Sequence, residues 1–178
     1  MALILIVEDE EQIRTFLKLA LDDHHLVIEA ANSQEALKLT ALARPNLTIL
    51  DLMLKDSTLS GADLCMQLST TPMLAGMPIL AISGFADKEA VGSIVSCATD
   101  FLAKPIDYKD LINKVDELLK LQEGKLTSLV ASANEDALFQ AIIQAAMLGS
   151  AFKITRALER AIIQIKQNLG SIDDQQIP

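Results

Sequence analysis

The sequence predicts a doubly wound α/β domain built on a five-stranded parallel sheet, followed by a short all-helical segment. Three observations carry this expectation. From Leu3 to Leu119, short apolar runs alternate five times with segments of helical spacing. That is the pattern of βα units, which places helices on both faces of a parallel sheet. The first run is apolar throughout, as a strand buried on both faces should be. After Leu121 the strand-like runs stop.

The elements follow in order. Leu3 to Val7 is the first strand, and Ile13, Phe16, Leu17, Ala20 and Leu21 line the first helix. Leu26 to Glu29 is the second strand, with His24 and His25 as a solvent-facing turn before it. Asn32 caps a helix, Glu35 stands three residues on, and Ala36, Leu37 and Ala41 form its apolar face until Pro45 stops it. Leu47 to Leu50 is the third strand and ends at Asp51. A polar loop, Lys55 to Ser60, leads to Gly61 and a helix whose core residues are Leu64, Cys65 and Leu68. Pro78 to Ile82 is the fourth strand, ending at Ser83 and Gly84. Asp87 caps a helix with Val91, Ile94 and Val95, Asp100 to Ala103 is the fifth strand, and Lys104-Pro105 closes it. Asp107 caps a helix with Leu111, Ile112, Val115, Leu118 and Leu119. Two further helices are expected beyond it. One carries Leu138, Phe139, Ile142, Ile143, Ala146 and Met147, and the other Ala151, Ile154, Leu158, Ala161, Ile165 and Leu169, with Gly149 between them. The expected division is 1–121 for the sheet domain and 122–178 for the helical extension.

Composition narrows the function. The chain has 178 residues, 51% of them hydrophobic, enough for a buried core without Trp. A net charge of −9 disfavours non-specific binding to nucleic acid or anionic lipid and suits a cation site. Cys65 and Cys97 stand far apart in sequence, in no metal-like spacing, so neither a disulfide scaffold nor a zinc site is expected. The apolar start runs straight into Glu8-Asp9-Glu10-Glu11, too short for a signal peptide or membrane span, and a cytoplasmic location is expected.

The chemistry gathers at strand ends. Ligands of such sheets bind at the carboxyl ends of the strands, where the strand order reverses. Glu8 and Asp9 end the first strand, Asp51 the third, Ser83 the fourth and Lys104 the fifth. Three converging carboxylates repel unless a cation joins them, and a hard divalent ion with oxygen ligands, Mg²⁺, is the natural one. Lys104 offers a mobile point charge to a phosphoryl oxygen, and the Ser83 hydroxyl a hydrogen bond.

The segments LILIVEDE, LTILDLML, ILAISG and DFLAKP, in this order, resemble the CheY-like receiver domain of two-component response regulators. The resemblance implies a flavodoxin-like sheet of order 2-1-3-4-5. It implies that Asp51 is phosphorylated by a phosphohistidine on a sensor histidine kinase or phosphotransfer protein. Asp9 would bind Mg²⁺ directly and Glu8 through water, with Asp51 and the backbone carbonyl of Met53 completing the protein ligands. Lys104 would pair with the phosphoryl group, Ser83 would move to it, and Phe101 would follow by changing rotamer. Such a chain is a signalling switch, an enzyme only toward its own phosphorylation and dephosphorylation. An aspartate-nucleophile phosphatase fits poorly, since its Asp-x-Asp is here Asp51-Leu52-Met53.

Three departures from the family pattern stand out. Lys55 occupies a position that is usually Pro. The loop from Asp51 to Gly61 is about two residues longer than usual. Cys97 stands where a helix-ending Gly is usual, so it either bears a positive φ or ends its helix differently. The segment from Leu121 onward holds five basic and six acidic residues and no cyclase, phosphatase or ATPase motif. Its two apolar stripes are too small to bury themselves alone, which predicts an interaction element, a homodimer through a helical bundle. The competing expectation is a nucleic-acid-binding transcriptional or antitermination regulator that uses these helices as output.

Overall fold

The computed structural model describes residues 1–55, 57–71, 74, 76–84 and 97–131. The expected helix with Val91, Ile94 and Val95, loop residue Asp56 and the expected C-terminal helical pair lie outside the described residues. The chain divides into two compact units, Met1–Gln122 and Glu123–Pro178.

Along the chain the described elements are β1 (Leu3–Val7), α1 (Glu11–Leu21), β2 (Leu26–Ala30), α2 (Ser33–Ala43), β3 (Leu47–Asp51), α3 (Gly61–Thr70), β4 (Ile79–Gly84), β5 (Asp100–Lys104) and α4 (Tyr108–Ala131). The five strands form one sheet of order β2-β1-β3-β4-β5, and every neighbouring pair is parallel. This is the flavodoxin-like order that the resemblance implied. Side chains of a strand alternate between its faces, and β1 shows why its run is unbroken. Leu5 and Val7 enter a core layer with Ala36 of α2 and Leu64, Cys65 and Leu68 of α3. Ile4 and Ile6 enter the opposite layer with Leu17, Ala20 and Leu21 of α1 and Leu111, Val115 and Leu118 of α4.

The structure differs from the sequence expectation at several residues. Phe16 is 39% exposed rather than part of the apolar face of α1. The buried face of α2 is Ser33, Ala36 and Thr40, and Ala41 is exposed. Thr40 can be buried because its hydroxyl donates to the Ala36 carbonyl at 2.6 Å, one turn back. His25 is half-buried, and its Nδ1 is enclosed without a hydrogen-bond partner. Outside glycine, Arg44 alone among the described residues has a positive φ (48°). Cys97 therefore bears no such strain. Cys65 and Cys97, distant in sequence, are both buried in one core layer, where burial pushes the Cys65 thiol up and Cys97 hydrogen-bonds it.

Candidate functional site

The site is built at the carboxyl ends of β1, β3 and β5. Asp51, the last residue of β3, is 3% exposed, and Glu8, just after β1, is fully buried. Lys104, the last residue of β5, lies between them. Its Nζ donates to Asp51 Oδ2 at 2.7 Å and to Glu8 Oε2 at 2.9 Å. The other oxygens are tied to backbone. Glu8 Oε1 accepts from Glu10 N–H at 3.2 Å, and Asp51 Oδ1 accepts from Met53 N–H at 2.9 Å. Asp9 Oδ2 accepts from Lys55 N–H at 3.2 Å, while Asp9 Oδ1 is buried with no partner.

Charge explains what the arrangement is suited to hold. One ligand atom from each of Glu8, Asp9 and Asp51 lies within 4.8 Å of the others. At that separation and an effective dielectric of about 20, each pair repels by about 3 kcal/mol. Lys104 offsets one of the three charges, so two negative charges remain uncompensated. A divalent cation matches that excess, and the orphaned oxygen of Asp9 is a ready oxygen ligand for a hard ion. The residues present therefore fit Mg²⁺. Burial, reinforced by the charge on Asp51, pushes the Glu8 carboxyl up to about 6 against the pull of Lys104. Burial also opposes the charge on Lys104, but its hydrogen bonds to Asp51 and Glu8 outweigh that and hold its pKa above the ordinary lysine range.

Residues 4–116 match the family described as the response regulator receiver domain. The chain belongs to that family. The receiver is similar to the response regulator ArlR of Staphylococcus epidermidis, at 34% identity over 126 residues, covering 68% of this chain and 54% of the relative. It is also similar to the transcriptional regulatory protein AfsQ1 of Streptomyces coelicolor, at 32% identity, covering 70% of this chain and 54% of the relative. The chain thus spans about half the length of these relatives. Among solved structures, the receiver domain of NtrX from Brucella abortus superposes with a TM-score of 0.62 at 31% identity, over 66% of this chain and 98% of that one.

Of the residues singled out in the sequence, Glu8, Asp9, Asp51 and Lys104 meet in this receiver's site. Ser83 lies at the end of β4, 2% exposed, one residue past Ile82, the partner of Asp51 in the sheet. Its hydroxyl donates to the Gly84 carbonyl at 3.3 Å. Phe101 lies in β5, half-buried against the layer that contains α2 and α3. Met53 is 51% exposed, and it is its N–H that the structure ties to Asp51.

Three features of the site escaped the sequence. Arg14, on α1, donates through Nη1 to the Glu8 carbonyl at 2.7 Å and the Asp9 carbonyl at 3.3 Å, pinning the turn that presents both acids. Ser33, at the start of α2, anchors the long β3–α3 loop. Its N–H donates to Ser57 Oγ at 2.7 Å, and its Oγ accepts from Leu59 N–H at 3.2 Å and contacts Thr58 Oγ1 at 3.3 Å. Gly61 lets α3 press against the site, for a Cβ there would lie 2.1 Å from the Asp51 carbonyl oxygen. Only the glycine was legible as a signal, as the residue that opens a helix after a polar loop. No helix among the described residues is long and apolar enough to cross a membrane.

Proposed function

We propose that this receiver is a phosphorylation switch in which Asp51 takes a phosphoryl group from a phosphohistidine on a sensor kinase or phosphotransfer protein. The observation that carries the reading is the buried Asp51 carboxylate, held by Lys104 inside a three-carboxylate cluster. A carboxylate oxygen of Asp51 attacks phosphorus, the P–N bond to the donor imidazole breaks, and the nitrogen leaves with the electron pair. The product is an acyl phosphate on Asp51. Glu8, Asp9, Asp51 and the Met53 carbonyl would hold Mg²⁺, with Asp9 in direct contact and Glu8 through water. When bound, the ion supplies charge neutralisation between the carboxylates and the incoming phosphoryl oxygens.

Lys104 exchanges its contact with Asp51 Oδ2 for a phosphoryl oxygen. Ser83 turns its hydroxyl from the Gly84 carbonyl to another phosphoryl oxygen, and Phe101 follows. Because these contacts exist only in the phosphorylated state, they bias the conformational equilibrium. The test is incubation with a small acyl phosphate in Mg²⁺ or in EDTA, read by intact mass. One phosphoryl group should add in Mg²⁺ alone. Equal labelling in EDTA contradicts the metal's part.

For the output, the amphipathic stripes after residue 122 support a protein-interaction element that forms a homodimer. Removing residues after Glu123 should convert a dimer to a monomer; a full chain that is monomeric at high concentration contradicts it. The similarity to AfsQ1, a transcriptional regulatory protein, favours a second reading in which the output is nucleic-acid binding. Salt-dependent binding to DNA or RNA would show that reading instead.

A further inference from the structure

We propose that Lys55 is a positioning residue for Asp9, acting through its backbone N–H; the inference rests on the metal reading above. The two oxygens of Asp9 differ. Oδ2 accepts the Lys55 N–H at 3.2 Å, and Oδ1 is buried and unpartnered. Tying one oxygen fixes the rotation of the carboxylate and so sets the other as well, in a residue one of whose oxygens lies within 4.8 Å of ligand atoms of Glu8 and Asp51. Hydrogen bonds behind a metal ligand act in this way, and losing one typically weakens binding by about 10–100-fold.

The tether is itself held on both sides. Before it, Leu52 N–H donates to the Ile82 carbonyl at 3.0 Å and Met53 N–H to Asp51 Oδ1 at 2.9 Å. After it, Ser57 and Leu59 are bonded to Ser33. The N–H therefore reaches Asp9 from between two bonded stretches, Leu52–Met53 and Ser57–Leu59. Proline at this position would have no N–H to give. The Lys55 ammonium does something different. It pairs with Glu10 Oε1 at 2.8 Å, with both side chains more than half exposed (67% and 51%). Such a pair contributes little in water, so the backbone donor is the operative group.

The probe is Mn²⁺, titrated against wild type, Lys55→Pro and Lys55→Gln, with free ion read by electron paramagnetic resonance. Lys55→Pro should raise Kd about tenfold, and Lys55→Gln, which keeps the N–H, by no more than about threefold. Wild type that binds while Lys55→Pro binds equally well overturns the role of Lys55 and leaves the metal reading standing. A loss in Lys55→Gln as large as in Lys55→Pro shows that the ammonium acts instead, and also overturns it. Wild type that takes up no Mn²⁺ overturns both. If Lys55→Pro fails to fold, amide exchange of ¹⁵N-lysine-labelled wild type decides without it. The Lys55 amide should be protected and should lose protection in Asp9→Ala; equal exchange in the two overturns the tether.

Discussion

Replacing Gly61 with Ala tests how tightly the start of α3 is pressed against Asp51. The added Cβ would stand 2.1 Å from the Asp51 carbonyl oxygen, 2.5 Å from Leu52 Cα and 2.7 Å from Leu52 carbonyl carbon. Ordinary contact begins at 3.4 Å, so the nearest pair must separate by about 1.3 Å. All three neighbours are backbone, and no side chain can rotate away to make room. Overpacking of this kind costs about 1–3 kcal/mol, and rigid neighbours place it at the upper end. For a unit of this size that corresponds to a fall in Tm of roughly 10 °C. The nearest of the three atoms is the backbone oxygen of Asp51, and a displacement of about 1 Å at a reacting group can cost about 10²-fold in rate. Thermal melting and the rate of phosphorylation by a small acyl phosphate, measured well below the variant's Tm, read the two effects separately. Gly61→Ala with Tm within about 2 °C of wild type and a rate within about threefold would refute the close approach.

The two β1 acids should separate in their effects on the ion. Asp9→Ala should abolish Mg²⁺ binding measured by calorimetry, and Glu8→Gln should only weaken it; equal loss shows their roles are wrongly divided. Lys104→Ala should permit chemical phosphorylation yet silence the amide shifts at Ser83 and Phe101 that a phosphoryl mimic produces in wild type. A full response in the variant contradicts the coupling. Burial lowers the His25 pKa from 6.5, against the attraction of Asp116. Its contribution to stability is thus present above pH 6.5 and is lost as pH falls through the lowered folded value. Urea midpoints should fall less between pH 7 and pH 5 in His25→Gln than in wild type, and parallel falls refute this.

Much of the fold was legible because burial on both faces leaves a plain mark. The unbroken run from Leu3 to Val7 is apolar since Ile4 and Ile6 serve one core layer and Leu5 and Val7 the other. Helix faces were read less well. Phe16 is apolar yet exposed, and apolar character alone does not require burial. Ser33 and Thr40 are polar yet buried, because each hydroxyl finds a partner that no periodicity reveals. The last described helix runs on to Ala131, past the expected division at 121 and through Gly124, a residue that costs about 1 kcal/mol in a helix. Glu8, Asp9, Asp51 and Lys104 were legible because a parallel sheet gathers its strand ends. The bonds from Arg14 to two carbonyls and from the Lys55 N–H to Asp9 were not. They depend on loop path, and a backbone donor has no residue signature.

The most direct measurement of the central claim is the site of phosphoryl attachment. Wild type and Asp51→Asn are each incubated with a small acyl phosphate and Mg²⁺, and the products are weighed intact. One phosphoryl group should add to wild type and none to Asp51→Asn. Equal incorporation in both proteins would contradict the assignment of Asp51 as the phosphoacceptor.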